Sequence, residues 1–192
     1  MEKLKSFSTV ITVVALFIGQ VVIGQNAMIK KDAKMVGGAA MYPSKNIIEN
    51  AVNSKDHTTL VTAVKAADLV DELSSEGSFT VFAPTNKAFD KLPKGTVDNL
   101  LMMENKATLQ NILKYHVVSG KWSAAAIMKM IKEDNGKAKI ETSSGAWLTA
   151  WMKGKHVYIT DENGSSAKVT IADVNQSNGV IHVVDAVLLP KS

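Results

Sequence analysis

The spacing of apolar residues changes once along this chain, and the change limits the folds open to it. From Ser44 to Gly136, apart from the short runs SFTVFA at 78–83 and 116–119, apolar positions recur every three or four residues, as on one face of a helix. After Gly136 that period does not return. Residues 137–142, 146–152, 156–160, 167–173 and 180–189 read instead as five strands, parted by turn chemistry at Ser144-Gly145, Lys153-Gly154, Asn163-Gly164 and Asn178-Gly179. Links this short join antiparallel neighbours. Helices gathered in the first half and strands in the second predict an α+β domain built on an antiparallel β-sandwich, not a parallel α/β sheet.

Within the helical half, Ser44 is positioned to cap a helix whose buried stripe is Ile47, Ile48, Ala51 and Val52. A second helix is expected through Leu60, Val61, Val64, Ala67 and Leu69, extending to Leu73 before Gly77 stops it. Pro84 ends the SFTVFA strand, and Thr85 or Asn86 can cap the turn that follows. Further helices are expected over 96–103, 108–115 and, capped by Ser123, 124–131, with a short strand at 116–119.

Composition narrows the chemistry. The chain has 192 residues and no Cys, which removes disulfides, thiolate metal sites, cysteine nucleophiles and thioether-linked lipids together. Its net charge of +4 comes from 22 basic residues, every one of them Lys. A nucleic-acid binder lacking the planar fork of Arg would be unusual, so nucleic acid is not an expected partner.

Lys3 and Lys5 precede an uncharged, mostly apolar stretch over 7–23, interrupted only by Ser, Thr, Gly and one Gln and ending in small residues, the pattern of a signal peptide at 1–24 with cleavage before Gln25. A retained anchor is the other reading, at the short limit for spanning a bilayer. The aperiodic stretch 25–43 reads as a flexible linker, which places the domain at 44–190. The product is expected to be exported, periplasmic or extracellular, with no membrane attachment once the leader is gone.

Two patterns on the strands stand out. Alternation places Asp173 on the same face as Val169 and Ile171, so the strand must bulge there or the carboxylate must accept local hydrogen bonds. Trp147 and Trp151, with Thr149 between them, share one strand face; that face is either core or a surface on which sugar rings stack. The four His, at 57, 116, 156 and 182, lack metal-ligand spacing, and no GxSxG elbow or glycine-rich phosphate loop occurs, so neither a metal, a cofactor nor catalysis is expected. Met102-Met103 and Met128-x-Met130 fit gap-filling on helices better than a soft metal site.

Three segments in order, FTVFAPTNKAF at 79–89, LQNILKYHVVSG at 109–120 and NGVIHVVDAVLLP at 178–190, resemble the fasciclin-like (FAS1) domain family. The resemblance implies a wedge-shaped β-sandwich decorated by helices mostly from the N-terminal half, and a non-enzymatic role in cell adhesion or matrix association. It also implies a cell-surface or matrix protein, or a polysaccharide, as partner. In animal members an Asp followed by Ile or a similar residue, and a Tyr-His pair, are linked to integrin recognition. The matching residues here are Asp173-Val174 and Tyr115-His116, with Ile171-Ala172 before the Asp in place of an acidic context. Most motif positions, among them Phe79, Val81, Phe89, Ile181 and Val183, read as core. A carbohydrate or small-ligand module working through Trp147 and Trp151 is the alternative, and a hydrolase a distant third.

Overall fold

The computed structural model describes residues 32–191. The leader expected at 1–24 lies outside the described residues. Elements run β1 (Lys34–Val36), β2 (Ala39–Met41), α1 (Ile47–Ala51), α2 (Thr58–Ala66), α3 (Val70–Ser74), β3 (Phe79–Pro84), α4 (Asn86–Phe89), α5 (Thr96–Leu100), a 3-10 turn, α6 (Lys106–Tyr115), β4 (Val117–Ser119) and α7 (Ala124–Glu133). The strands β5 (Lys137–Glu141), β6 (Trp147–Lys153), β7 (His156–Thr160), β8 (Ser166–Gln176) and β9 (Gly179–Val184) complete the chain. The result is an α+β fold whose sheet is mostly antiparallel, as the change of period implies.

The seven long-range strands are ordered β4-β3-β9-β8-β7-β6-β5. β8 is the corner. Its first residues pair with β7, the rest pair with β9, and register shifts between Val169 and Ile171 and between Ile171 and Val174 turn the strand between the two. The ends of the order approach each other, since the Ser143 N–H after β5 donates to the Val117 carbonyl of β4 at 2.7 Å. β3 and β9 are parallel, from Phe79 opposite Gly179 to Pro84 opposite Val184. Turn spacing alone predicts antiparallel neighbours. The parallel pair arises because β3 and β9 are joined by the long stretch 85–178 rather than by a turn.

Both faces of this central pair are covered. Val81, Ala83, Ile181 and Val183 meet α1, α2, α3 and α6 through Ile47, Leu60, Val64, Leu73 and Leu113. Phe82, Val184 and Leu188 face the other way, into the sandwich interior with Leu148, Ile159, Ala167 and, from α7, Ile127 and Ile131. Phe79 and Phe89, expected as core, pack against it while partly exposed.

Four local expectations change. The stretch 25–43 is not all linker: Lys34–Val36 and Ala39–Met41 form a hairpin, and Val36 and Met41, each 1% exposed, are seated in the helical core. An irregular sequence hides this because three-residue strands have no readable period. α1 is capped by Asn46, not Ser44, in a capping box with Glu49. The single helix expected through Leu73 is broken at Asp68, whose φ of +53° is left-handed. Met102 and Met103 are exposed rather than filling gaps, because α5 ends at Leu100. Ser123 caps α7 as expected, its Oγ accepting the Ala126 N–H at 3.2 Å.

Candidate functional site

Tyr115 and His116 end α6, where the chain turns into β4. Tyr115 is fully buried; its hydroxyl donates to the Trp147 carbonyl at 2.9 Å and accepts the Glu162 N–H at 3.1 Å. Burial pushes the phenol up to about 12, partly offset by the Glu162 N–H. His116 Nδ1–H donates to the Ile112 carbonyl at 2.8 Å, and Nε2 accepts the Leu188 N–H at 3.0 Å. Both ring nitrogens are therefore committed and one tautomer is enforced. Burial lowers the His116 pKa to about 4, against a smaller opposing pull from the Ile112 carbonyl and Asp161.

Asp173 sits where β8 bulges, with φ at +55°. Its Oδ1 accepts the Ala124 N–H, in the first turn of α7, at 2.7 Å. The strained alternation of Val169, Ile171 and Asp173 is thus relieved by a bulge and a hydrogen bond at once, with the donor coming from a helix rather than from the adjacent loop. His182, on β9, accepts the Asp173 N–H at Nδ1 (3.3 Å) and donates from Nε2 to the Trp122 carbonyl (2.8 Å). Its ring stacks on Phe82 with centroids 5.8 Å apart. Burial lowers the His182 pKa, opposed by the Trp122 carbonyl and Asp173.

The expected partner-binding residues are placed differently from one another. Tyr115, His116 and Val174 are buried, and their side chains do not reach the surface of this fold. Asp173 is half-buried and lines an open surface cleft with Asp32, Lys34, Lys121 and Asn175, while its Oδ1 is engaged by the Ala124 N–H.

Beneath α1, α2 and α3 lies a cavity of about 40 Å³, lined mostly by aliphatic side chains, with Lys65, Phe82, His57 and His116. The two His do not assemble a reactive pair. His116 has no free nitrogen, and His57 Nδ1 is hydrogen-bonded to Ser54 Oγ at 2.9 Å. His57 Nε2 makes no hydrogen bond of normal length, although the Ala83 carbonyl is near enough to favour the charged ring; burial outweighs it and lowers the pKa. Among the described residues no group of three His, Asp or Glu is placed to hold a metal ion.

The exterior is organised differently. On β6, Leu148 and Ala150 point inward and are fully buried, which turns Trp147, Thr149 and Trp151 outward. Trp147 is 45% exposed. Trp151 stacks on Tyr158 of β7 at 5.0 Å and 24°, and its Nε1 donates to Thr160 Oγ1 at 2.8 Å. Thr160 Oγ1 and Ser166 Oγ are 2.7 Å apart. The paired Trp therefore belong to a surface. Tyr158, which completes it, is missed from sequence because it stands on a separate strand; the register that brings it opposite Trp151 is visible only in the fold.

The helix-decorated sandwich turning on one corner strand defines the class of fold to which this chain belongs. The fasciclin domain family model matches residues 55–190, and the chain belongs to that family. Similar proteins include protein sll1483 of Synechocystis sp., 44% identical over 182 residues, covering 95% of this chain and 93% of that one. Immunogenic protein MPB70 of Mycobacterium bovis is 35% identical over 145 residues, covering 73% of this chain and 66% of that one. Human periostin is 32% identical over 146 residues, which is 76% of this chain but 16% of periostin. Among solved structures, the FAS1 domain pair of the insect cell adhesion molecule fasciclin I superposes with a TM-score of 0.68 at 18% identity, covering 81% of this chain and 57% of that one; at this identity the likeness is one of fold. Among the described residues no helix is long and apolar enough to cross a membrane.

Proposed function

We propose that this chain is an exported, non-enzymatic adhesion or matrix-association domain that works by presenting its outer surface to a cell-surface or matrix protein or polysaccharide. The observation that supports this most is how the motif side chains are used. Tyr115, His116 and His182 each have their polar atoms hydrogen-bonded within the fold, and burial keeps both rings neutral near neutral pH. Groups so committed hold the scaffold and are poor general bases, since a base must reach the proton it abstracts. The insect structural neighbour is a domain pair of a cell adhesion molecule, in keeping with this reading.

The test is binding of the purified exported chain to cells of its producer and to matrix stripped from them, run beside a broad esterase and protease screen. Saturable binding without turnover is expected. Turnover in the screen, or binding no greater than that of an unrelated Lys-rich protein, overturns the proposal. The second reading is a carbohydrate-binding module, favoured by the outward orientation of Trp147 and Trp151 and by the Tyr158 stack.

A further inference from the structure

Register places four side chains in one row across the outer face of the sheet. Lys137 of β5 is the cross-strand partner of Trp151, Trp151 of Tyr158, and Tyr158 of Lys168 on β8. Cross-strand partners share a face, and strands lie about 4.8 Å apart, so the row is an aromatic platform with an ammonium at each end, roughly 14 Å long. A second row runs beside it: Lys139 opposite Thr149, Thr149 opposite Thr160, Thr160 opposite Ser166. Lys153 follows Trp151 on the same face.

Among the described residues, none of Lys137, Lys139, Lys153 and Lys168 enters an ion pair; the pairs formed are Lys91–Asp185, Lys106–Asp68, Lys114–Glu72 and Lys129–Glu133. The cation–π contact recorded joins Lys45 and Tyr42, elsewhere on the molecule. The platform is held in place before any ligand arrives, by the stack on Tyr158 and by the chain of hydrogen bonds from Trp151 through Thr160 to Ser166. Such preorganisation lowers the ordering cost of binding. Acidic side chains gather at the opposite end of the face, where Glu141 is the partner of Trp147 and Glu162 accepts the Trp147 N–H.

We propose that the Lys137–Trp151–Tyr158–Lys168 row binds an anionic polysaccharide of the uronic-acid type, with a sugar face stacked on Trp151 and sugar carboxylates beside Lys137 and Lys168. The proposal rests on the carbohydrate reading above and names its ligand class. An aromatic ring offers an apolar face to the C–H side of a sugar, the hydroxyl row offers hydrogen bonds to its rim, and four unpaired ammonium groups select for negative charge. A neutral glycan would leave those cations unused. An acidic protein segment lacks the flat C–H face of a sugar ring that the Trp151 indole would stack on.

The probe is polygalacturonate, titrated into the full exported chain while indole fluorescence is followed, with methyl-esterified polygalacturonate, dextran and polyglutamate as comparisons. Polygalacturonate is expected to bind and to weaken with added salt, the esterified polymer and polyglutamate to bind at least about tenfold more weakly, and dextran to give no signal. Lys137→Gln combined with Lys168→Gln, both solvent-facing changes, should weaken polygalacturonate at least about tenfold with unchanged melting, and Trp151→Leu should do the same if its circular dichroism is native. Equal binding of acid and ester, with loss only on Trp151→Leu, overturns the acidic specificity while leaving the carbohydrate reading intact. Binding of none of the polysaccharides overturns both. Equal binding of polyglutamate, or full retention in the double Lys variant, overturns the assignment of the row.

Discussion

The His182 ring accepts the backbone N–H of Asp173 at Nδ1, 3.3 Å away, while the Asp173 carboxylate reaches on to the Ala124 N–H at 2.7 Å. One residue thus links β9, the bulge in β8 and the start of α7. The left-handed φ of Asp173 is tolerated because both its N–H and its carboxylate are satisfied there, and Asp is among the few side chains that adopt it readily.

Asp173→Ala should accordingly cost about 2 kcal/mol, from the lost hydrogen bond at the head of α7 and from a β-carbon with no local compensation at positive φ. Asp173→Asn keeps an acceptor and tolerates the backbone, so it should lose less than about 1 kcal/mol. Chemical denaturation of the two variants checks this; equal losses would show that the hydrogen bond to Ala124 contributes little. The Asn variant is also the right probe of any partner that reads the Asp173 charge, because the Ala variant mixes a binding effect with unfolding.

Acid should weaken the fold through its histidines. The folded His116 takes a proton only near pH 4, against 6.5 for the ordinary ring. As pH falls below 6.5 the unfolded chain is protonated first, so this contribution is complete above 6.5 and is lost progressively down to about 4. A difference of that size corresponds to about 3 kcal/mol. His57 and His182, also lowered by burial, act in the same direction. Urea midpoints between pH 7.5 and 4.5 should fall, and the fall should be shallower in a folded His116→Gln variant; a flat profile in the parent chain refutes the account.

Gly179 permits the parallel pairing of β3 and β9. A β-carbon there would lie 2.2 Å from the Phe79 carbonyl oxygen and 3.0 Å from its carbon, both main-chain atoms that cannot turn aside. Gly179→Ala should destabilise by about 3 kcal/mol, read from the thermal or urea midpoint. A loss below about 1 kcal/mol would mean that the two strands can separate at this end at little cost.

The hairpin before α1 should matter to stability. Met41 is 1% exposed in the helical core. Met41→Ala should cost about 2–5 kcal/mol, as for other large-to-small core changes. A midpoint within error of the parent chain would return this segment to the linker that its composition suggests.

Several parts of this molecule can be read residue by residue. The alternation Leu148, Thr149, Ala150, Trp151 identifies a two-faced strand, Ser123 announces α7, and Asn178-Gly179 marks the turn into β9. What alternation cannot say is which face meets water. The larger side chains of β6 face outward because the strands beside it, through Ile140 and Ile159, already fill the interior against Leu148 and Ala150. Asn178 shows the same limit. Its turn is legible, yet its side chain accepts from the Ile47 N–H and donates to the Leu73 and Ser75 carbonyls, joining segments more than a hundred positions away.

Local chemistry in the chain was sufficient for the kind and order of most elements, for the absence of thiol chemistry and for the family motifs, because helix period, strand alternation, caps and turns depend on near neighbours. Tertiary structure alone decided that Tyr115 and His116 are interior, that Asp173 is a brace, and that two lysines flank a Trp–Tyr stack. Those outcomes depend on strand register and on which face is buried, and both are settled only when distant segments compete for one shared core.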